Sequence, residues 1–247
     1  FKSFNRPVHA AIFGGRGGIG SALAAKLAAF PSVEKIYSLS RQTHQATHEK
    51  IEALSCDPLD EKSLKNATQH IQEHSTSLDL VIVALGVLHD EKRNVHPEKT
   101  YKAITKENFE YVLSVNTIAP SLIAKHTLPL LSKDGKSVFA ALSARVGSIG
   151  DNFLGGWYSY RTSKAALNMM IRGLSIEVAR KHKNAVLIGL HPGTVDTDLS
   201  APFQGNVSEG KLFSPEYSAN FLIQVIENVQ AADSGQIFAW DGEKIPY

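Results

Sequence analysis

Cysteine is almost absent from this 247-residue chain, which contains only Cys56. A single cysteine cannot form an internal disulfide, and its scarcity indicates a reducing compartment. We expect Cys56 to be a small buried residue at the end of a strand. No apolar run approaches the roughly 18 to 20 residues of a membrane-spanning helix, and the first residues lack the pattern of a signal peptide. The sequence therefore predicts a cytoplasmic location.

The chain also lacks a marked excess of charge. It has 26 Lys and Arg against 24 Asp and Glu, a formal net charge of +2, and the basic residues are scattered. A clustered basic patch is the electrostatic footprint of nucleic-acid binding, so we expect neither nucleic acid nor a membrane as partner. The histidines His89, His96 and His191 share no metal-ligand spacing, so we expect no metal.

What the sequence does contain is a regular alternation of apolar strands and helices. Because the strands are unbroken apolar runs, they favour a parallel sheet covered by helices on both faces. The prediction is one α/β domain over residues 1–247, with a doubly wound parallel sheet of about seven strands. The predicted strands are residues 8–13, 35–40, 52–56, 78–85, 137–142, 185–190 and 236–240, and the predicted helices are residues 21–30, 61–73, 106–131, 158–181 and 215–229.

A glycine-rich turn follows the first predicted strand. Gly14, Gly18 and Gly20 lie between that strand and the first helix, with Arg16 and Ile19 inside the turn. Glycine permits a tight turn and lets the backbone approach a pyrophosphate, which then meets the helix N-terminus. Such turns also serve packing alone, but the strand–turn–helix context predicts a dinucleotide site in a single-domain Rossmann fold.

The second predicted strand ends in Ser40, which Arg41 follows. A carboxylate at this position would hydrogen-bond the ribose hydroxyls and favour NAD(H). Ser40 carries no such charge, and Arg16 and Arg41 could converge on a ribose phosphate with their bidentate guanidinium groups. We therefore expect NADP(H) rather than NAD(H); the alternative is that both arginines point into water.

Tyr160 and Lys164 lie four residues apart on a predicted helix and therefore share one face. A lysine ammonium favours the phenolate, so we expect it to lower the pKa of Tyr160 from the usual value of about 10. A phenol that titrates nearer neutrality can protonate an alkoxide, which suits carbonyl reduction. Such a pair is common by chance, but behind a dinucleotide turn it predicts an active site.

Together these motifs resemble the short-chain dehydrogenase/reductase family along nearly the whole chain. Residues 142–149, 155–160 and 241–247 are similar to the C-factor and Sniffer-type carbonyl reductase branch of that family. This resemblance implies an oligomeric enzyme with a nicotinamide cofactor and a small-molecule carbonyl or alcohol substrate.

The resemblance also implies four catalytic residues. Tyr160 would be the acid–base, and Lys164 would lower its pKa and bind the nicotinamide ribose. Ser143 would polarise the substrate carbonyl, and Asn116 would hold a water chain that links Lys164 to solvent. Asn116 could instead only satisfy buried backbone groups.

Further cofactor contacts are implied in the same way. Asp57 would contact the adenine, and Gly86 would border the cofactor at the end of the fourth strand. The segment after the sixth strand would bind the nicotinamide carboxamide, although Pro192 and Gly193 could be only a turn. The residues implied in that segment are Pro192, Gly193, Val195 and Thr197.

The position of the serine is open. Ser143 lies 17 residues before Tyr160, farther than in the commonest family members. Counting from the start of the fifth strand selects Ser143, and a loop insertion before Tyr160 explains the spacing. Counting back from Gly147 selects Ala144 instead, and Ser148 is a third candidate. We favour Ser143.

The sequence thus predicts an NADP(H)-dependent carbonyl reductase. The loops around residues 87–97, 153–157 and 199–212 would line its pocket. The aromatic residues Phe153, Trp157, Phe203 and Phe213 favour an apolar or aromatic substrate, although they could instead be lid or interface residues. The alternatives are a nucleotide-binding sensor or signalling protein with little turnover, and a structural protein with a vestigial site. Because all four catalytic residue types are present, both alternatives are less favoured.

Association is also expected. The predicted helices 106–131 and 158–181 carry small and apolar residues that suit close packing between subunits, as in a homodimer or homotetramer. The same residues could pack on the sheet of their own subunit. They are Ala165, Ala166, Met169, Met170 and Gly173.

Overall fold

A computed structural model, which describes residues 1–247 except for the side chain of Asn206, contains an eight-stranded sheet covered by helices on both faces. The strands of the chain are β1 (Val8–Phe13), β2 (Val33–Ser40), β3 (Ile51–Ser55), β4 (Leu80–Val83), β5 (Ser137–Leu142), β6 (Ala185–His191), β7 (Thr194–Val195), β8 (Leu212–Phe213), β9 (Ile237–Ala239) and β10 (Lys244–Ile245). The sheet runs in the order β10-β9-β6-β5-β4-β1-β2-β3, and β7 and β8 form a separate pair.

The strand order places a binding crevice between two strands. From β1 the chain winds outward to β2 and β3, then crosses back so that β4 lies on the other side of β1. Loops that leave the carboxyl ends of β1 and β4 therefore diverge, and ligands of open α/β sheets bind at such a switch point. The doubly wound parallel sheet predicted from the sequence is confirmed.

The predicted strand count was too low. Seven strands of the main sheet are parallel, but the short strand β10 adds an antiparallel eighth, and β7 and β8 lie outside the sheet. Two-residue strands are too short to show any periodicity, so the sequence pattern could not reveal them.

The helices are α1 (Gly18–Ala28), α2 (Glu61–His74), α3 (Lys106–Leu113), α4 (Ala119–Thr127), α5 (Tyr158–Ala179) and α6 (Pro215–Asn228). Residues of α1 and α6 share one apolar cluster with one face of the sheet, whereas residues of α2, α4 and α5 pack against the other face. The alternation of side chains along β1 explains the two layers, because Ala10 and Ile12 belong to the first cluster and Ala11 and Phe13 to the second. Cys56 is buried directly after β3, as predicted.

The single helix predicted over residues 106–131 is interrupted. Between α3 and α4 the chain widens into a π-helical turn, Ser114–Ile118. Pro120 at the start of α4 has no N–H to donate to the carbonyl of Asn116, four residues earlier, so a regular α-helix cannot continue across this point. The turn buries Asn116 completely.

No helix among the described residues is both long and apolar enough to cross a membrane.

Candidate active site

The turn after β1 is built by close backbone approaches that require glycine. Gly14 has φ +89°, and a Cβ there would lie 2.4 Å from the carbonyl oxygen of Ala84. A Cβ on Gly20 would lie 2.2 Å from the carbonyl oxygen of Gly14. The N-cap of α1 is Gly17, which has no side chain to cap the first N–H groups of the helix. The helix N-terminus can therefore present those groups to an anion.

The loop after β6 faces this turn. A Cβ on Gly18 would lie 2.8 Å from Cγ2 of Thr197. Gly193 has φ +79° and close contact with the ring of Phe213, and the Pro192 carbonyl accepts a hydrogen bond of 2.8 Å from the Ser218 hydroxyl. Pro192, Gly193 and Thr197 are thereby held near the glycine turn, and Val195 is buried behind them.

The residues predicted to select the cofactor phosphate lie at the end of β2. The hydroxyl of Ser40 donates to the Gln42 carbonyl at 2.5 Å, and the Arg16 guanidinium donates to the side-chain amide of Gln42. His44 lies between two hydroxyls, 3.1 Å from Ser40 Oγ and 2.9 Å from Ser38 Oγ. Gln42 and His44 could not be predicted from the sequence, because a polar loop carries no periodic signal.

Arg41 and Asp57 lie at the carboxyl ends of the neighbouring strands β2 and β3, which are parallel. Both side chains are exposed. The Asp57 carboxylate accepts a 3.0 Å hydrogen bond from the backbone N–H of Leu59. The structure therefore brings both residues to the same sheet edge as the glycine turn, and Ile19 packs inward from that turn against the core.

Tyr160 and Lys164 lie in the first two turns of α5, on a buried face. The side chain of Tyr160 is 8% exposed and that of Lys164 2%. The Lys164 ammonium donates to the carbonyl of Leu142 at 2.8 Å and lies 5.8 Å from the centroid of the Tyr160 ring. The last carbonyl of β5 thus binds the lysine.

Burial dominates the titration of this pair. It raises the pKa of Tyr160 to about 12 and lowers the pKa of Lys164 to about 8, because each charged form loses hydration. The pKa of Tyr160 is therefore raised above its usual value, opposite in direction to the shift expected from the sequence, and burial is the cause. The sequence showed the proximity of the two groups but not the depth at which they are buried.

Asn116 holds the loop after β4. Its Oδ1 accepts from the Val87 N–H at 2.8 Å, and its Nδ2 donates to the Val87 carbonyl at 2.9 Å and to Ser163 Oγ at 3.0 Å. A Cβ on Gly86 would lie 3.8 Å from Asn116 Oδ1 and 3.7 Å from Lys164 Nζ. In this structure Asn116 therefore satisfies buried backbone groups; its role in a water chain stays a prediction.

The three serine candidates differ in what they contact. The Ser143 hydroxyl donates to Asn168 Oδ1 at 2.6 Å. Ala144 packs in one apolar cluster with Tyr160. Ser148 is buried, and its hydroxyl accepts a 3.1 Å hydrogen bond from the Asp151 N–H.

An apolar wall surrounds Tyr160. The Trp157 ring lies edge-on to it at 6.3 Å between centroids, and the Phe203 ring lies 5.3 Å from that of Trp157. Two other loop aromatics expected in the pocket lie elsewhere: Phe153 is 86% exposed and Phe213 packs with Trp240. The full cluster contains Leu88, Ala144, Tyr160, Val146, Trp157, Leu199 and Phe203.

Two polar residues of the site were missed by the sequence analysis. Asn168 lies one helical turn after Lys164, so the same i, i+4 spacing that singled out Tyr160 could have found it. Glu98 is 2% exposed and accepts hydrogen bonds from the backbone N–H and hydroxyl of Ser159. Nothing local in the sequence distinguishes Glu98 from a surface glutamate.

The residues present fit a dinucleotide. Close contacts at Gly14, Gly18 and Gly20 leave backbone rather than side chains at the start of α1, as binding of a pyrophosphate requires. At the other end of the crevice, the buried Lys164 lies near Gly86, and the buried Tyr160 lies beside that lysine.

Relatives of this chain carry oxidoreductase and signalling names. The 1-hydroxy-2-glutathionyl-2-methyl-3-butene dehydrogenase of Rhodococcus sp. (strain AD45) is 31% identical over 223 residues, which cover 83% of this chain and 92% of that protein. C-signal of Myxococcus xanthus is 32% identical over 134 residues, which cover 54% of this chain and 75% of that protein.

Solved structures of carbonyl reductases share the fold over almost the whole chain. The NADPH-bound carbonyl reductase from chicken fatty liver is 25% identical with a TM-score of 0.84, covering 98% of this chain and 95% of that one. Carbonyl reductase Sniffer of D. melanogaster is 23% identical with a TM-score of 0.85, covering 98% of this chain and 100% of that one.

A sequence model described as short chain dehydrogenase matches residues 8–207. With the parallel sheet, the glycine turn and the Tyr160–Lys164 pair, this match establishes that the chain belongs to the short-chain dehydrogenase/reductase family and resembles its C-factor and Sniffer-type carbonyl reductase branch.

Proposed function

We propose that this protein is an NADP(H)-dependent carbonyl reductase in which Tyr160 is the general acid. The observation that carries the proposal is the position of Tyr160 and Lys164, which are buried together at the carboxyl edge of the sheet. Only β4 separates the end of β5, which binds Lys164, from the strand β1 that leads into the glycine turn. The chicken liver carbonyl reductase, which binds NADPH, supports it.

The chemistry follows from the state of Tyr160. A phenol whose pKa is raised to about 12 stays protonated at neutral pH, and it can donate its proton to an alkoxide, which is more basic than a phenolate. A nicotinamide, when bound, supplies the hydride that reduces the carbonyl carbon. Tyr160 protonates the carbonyl oxygen as that carbon is reduced, which yields an alcohol.

The positive charge of Lys164 lies close to Tyr160, the proposed proton donor. Its ammonium is held by the Leu142 carbonyl at 2.8 Å, and it stabilises the phenolate that remains when Tyr160 has given up its proton. Because burial lowers its pKa to about 8, Lys164 can also return a proton to Tyr160 near neutral pH. Asn116 supports the pair by fixing Val87 and Ser163 beside it.

The proposed preference for NADP(H) rests on charge. Arg16, in the glycine turn after β1, and Arg41, at the end of β2, are exposed cations, and the neutral Ser40 takes the place of a carboxylate. A ribose phosphate would gain charge-assisted hydrogen bonds from both guanidinium groups. Asp57 would contact the adenine from the end of β3, and Thr197 the nicotinamide end from the loop after β6.

The substrate proposed is an apolar or aromatic ketone or aldehyde. The wall of Trp157, Phe203 and Leu199 beside Tyr160 favours such compounds, because it offers apolar area and no charge.

A nucleotide-binding signalling protein is the second candidate, and the match to C-signal favours it. The two functions differ in turnover. A sensor would bind NADPH tightly and reduce no member of a broad carbonyl panel.

A homodimer or homotetramer is proposed as well. The outer face of α5 and the π-helical turn before α4 expose apolar side chains, with Met169 71%, Ile176 49% and Ile118 48% exposed. Burial of such a face between subunits would stabilise an oligomer. Light scattering of the purified protein and of a Met169→Glu variant tests this, with a smaller species expected for the variant.

The experiment that tests the reductase is a comparison of two tyrosines on the same helix. Tyr160→Phe should reduce NADPH-dependent turnover of a panel of aryl ketones and aldehydes about 10²- to 10⁴-fold, and leave the Kd for NADPH nearly unchanged. Tyr158→Phe, two residues away, should keep wild-type turnover. Equal rates for wild type and Tyr160→Phe would refute the proposed role of Tyr160.

A further inference from the structure

The hydroxyl of Ser143 already donates a hydrogen bond to another residue of the protein. Ser143 is 3% exposed, its hydroxyl donates to Asn168 Oδ1 at 2.6 Å, and its backbone N–H donates to the Leu190 carbonyl at 2.7 Å. A hydroxyl has a single proton, so in this arrangement Ser143 cannot also donate to a substrate oxygen. The bond instead ties the end of β5 to α5.

The hydroxyls of two serines on α5 also donate hydrogen bonds within the protein. The Ser159 hydroxyl donates to Glu98 at 3.0 Å, and the Ser163 hydroxyl donates to the Tyr160 carbonyl at 2.7 Å. Both lie on the same helix as Tyr160 and both are buried. Neither proton is therefore available to a substrate.

The residue that does lie with Tyr160 is Ala144. It is 8% exposed and belongs to the cluster formed by Tyr160, Leu88 and the half-buried rings of Trp157 and Phe203. Its methyl group adds apolar surface beside Tyr160 and has no hydrogen-bond donor.

We infer that Ala144, and not Ser143, borders the reacting carbonyl, so that its oxygen receives a hydrogen bond from Tyr160 and none from Ser143. This inference rests on the proposed reductase function. It assigns the substrate a chemical class: carbonyl compounds that are already electron-poor, such as aldehydes and ketones with electron-withdrawing substituents.

The reason is the charge that develops on oxygen. Each donor aimed at a developing oxyanion is worth about 10²- to 10³-fold in rate. With one donor instead of two, the activation barrier for reducing a simple ketone is high. An electron-withdrawing substituent spreads the negative charge of the transition state, so the substrate needs less stabilisation from the protein. Ser143 is then a structural residue, and Ala144 determines specificity.

The first test uses the Tyr160 phenol itself and needs no turnover. In protein labelled with [¹³Cζ]tyrosine, the Tyr160 resonance is identified by its absence from Tyr160→Phe, and the phenolate fraction is measured at pH 11 with folding monitored by circular dichroism. A serine at position 144 would donate to the phenolate, so Ala144→Ser should raise that fraction from about 10% to about 50%, a pKa decrease of about one unit. Ser143→Ala should leave it at the wild-type level.

The opposite pattern, a lower phenolate fraction in Ser143→Ala and no change in Ala144→Ser, would overturn the inference. Because this readout is independent of catalysis, it decides the placement of Ala144 even if the protein reduces no carbonyl, which would refute the proposed function alone.

The second test measures specificity with a matched pair of substrates, acetophenone and 4-nitroacetophenone. Ala144→Ser should raise kcat/KM for acetophenone about 10-fold or more, with a smaller gain for the nitro compound, because only the unactivated ketone needs the second donor. An equal loss of kcat/KM for both substrates in Ala144→Ser would contradict the inference.

Discussion

The carboxylate of Glu98 accepts two hydrogen bonds from Ser159, one from its backbone N–H at 3.1 Å and one from its hydroxyl at 3.0 Å. Ser159 precedes Tyr160 in the first turn of α5, and the carbonyl of Glu98 also accepts from the N–H of Trp157 at 2.6 Å. A negative charge is favourable at a helix N-terminus. Glu98 therefore fixes the start of the helix that carries the proposed acid.

Removal of this carboxylate should destabilise the fold. Glu98→Ala leaves the buried N–H and hydroxyl of Ser159 without their acceptor, so the free energy of unfolding should fall by about 1–3 kcal/mol, measured by urea denaturation. Glu91→Ala is the control, since Glu91 lies in the same loop but its side chain is 76% exposed. Equal stability of the two variants would show that Glu98 does not brace the helix.

Lys164 should make stability depend on pH. Its pKa falls from an ordinary 10.5 to about 8 in the folded protein, so between these values the unfolded chain holds a proton that the folded chain has released. Stability contributed by this group therefore rises with pH from about 8 to 10.5, and below pH 8 burial of the charge is fully unfavourable.

The measurement is the difference in unfolding free energy between Lys164→Met and wild type at several pH values. The variant should gain relative stability at pH 7, and its advantage should shrink by up to about 3 kcal/mol as the pH rises through the window. Burial also lowers the pKa of Lys136 to about 8, but Lys136 is present in both proteins, so its contribution to the difference in stability cancels. If the difference in unfolding free energy did not change with pH, the lowered pKa of Lys164 would be refuted.

The glycine turn should tolerate a methyl group at one position and not at another. A Cβ at Gly20 would lie 2.2 Å from the backbone oxygen of Gly14, whereas a Cβ at Gly17 would lie 3.4 Å from the same atom. Gly20→Ala should cost about 1–3 kcal/mol of stability and weaken NADPH binding. Gly17→Ala should cost less than about 1 kcal/mol, through a poorer N-cap. If calorimetry showed similar losses of stability for the two variants, the close approach of Gly20 to the Gly14 carbonyl would be refuted.

Cofactor selectivity should depend on Arg16 in the glycine turn and on Arg41 at the end of β2. Arg41→Ala and Arg16→Ala should each raise the Kd for NADPH about 10-fold or more, because a charge-assisted hydrogen bond contributes about 1.5–3 kcal/mol. Their Kd for NADH should change little. Fluorescence titration with both cofactors measures this, with the exposed Arg180→Ala as control. Parallel losses for NADPH and NADH would argue against a contact with the ribose phosphate.

Much of the fold could be predicted because its signals are local. The strand over Ser137–Leu142 is a continuous apolar run with clear ends, and its predicted bounds agree with the structure. The π-helical turn at Ser114–Ile118 could not be predicted, since it depends on how a proline and the packing of Asn116 are accommodated together. The strand β10 is defined by its pairing with β9 alone.

The candidate site also has features that local sequence predicts and features that depend on tertiary packing. The spacing of Tyr160 and Lys164 on one helix face is a sequence property, and the parallel topology then brings them to the glycine turn. The direction of the Ser143 hydroxyl depends instead on Asn168, on a different element. The pKa of Tyr160 depends on burial by surrounding loops, which no spacing encodes.

The proposed reaction transfers a hydride from a nicotinamide to a carbonyl carbon, with Tyr160 as the proton donor. Its most direct test is mass spectrometry of the alcohol formed from 4-nitroacetophenone with NADPH fully deuterated at C4. We expect one deuterium on the carbinol carbon of the wild-type product and almost no product from Tyr160→Phe. An alcohol without deuterium, or equal product from both proteins, would contradict it.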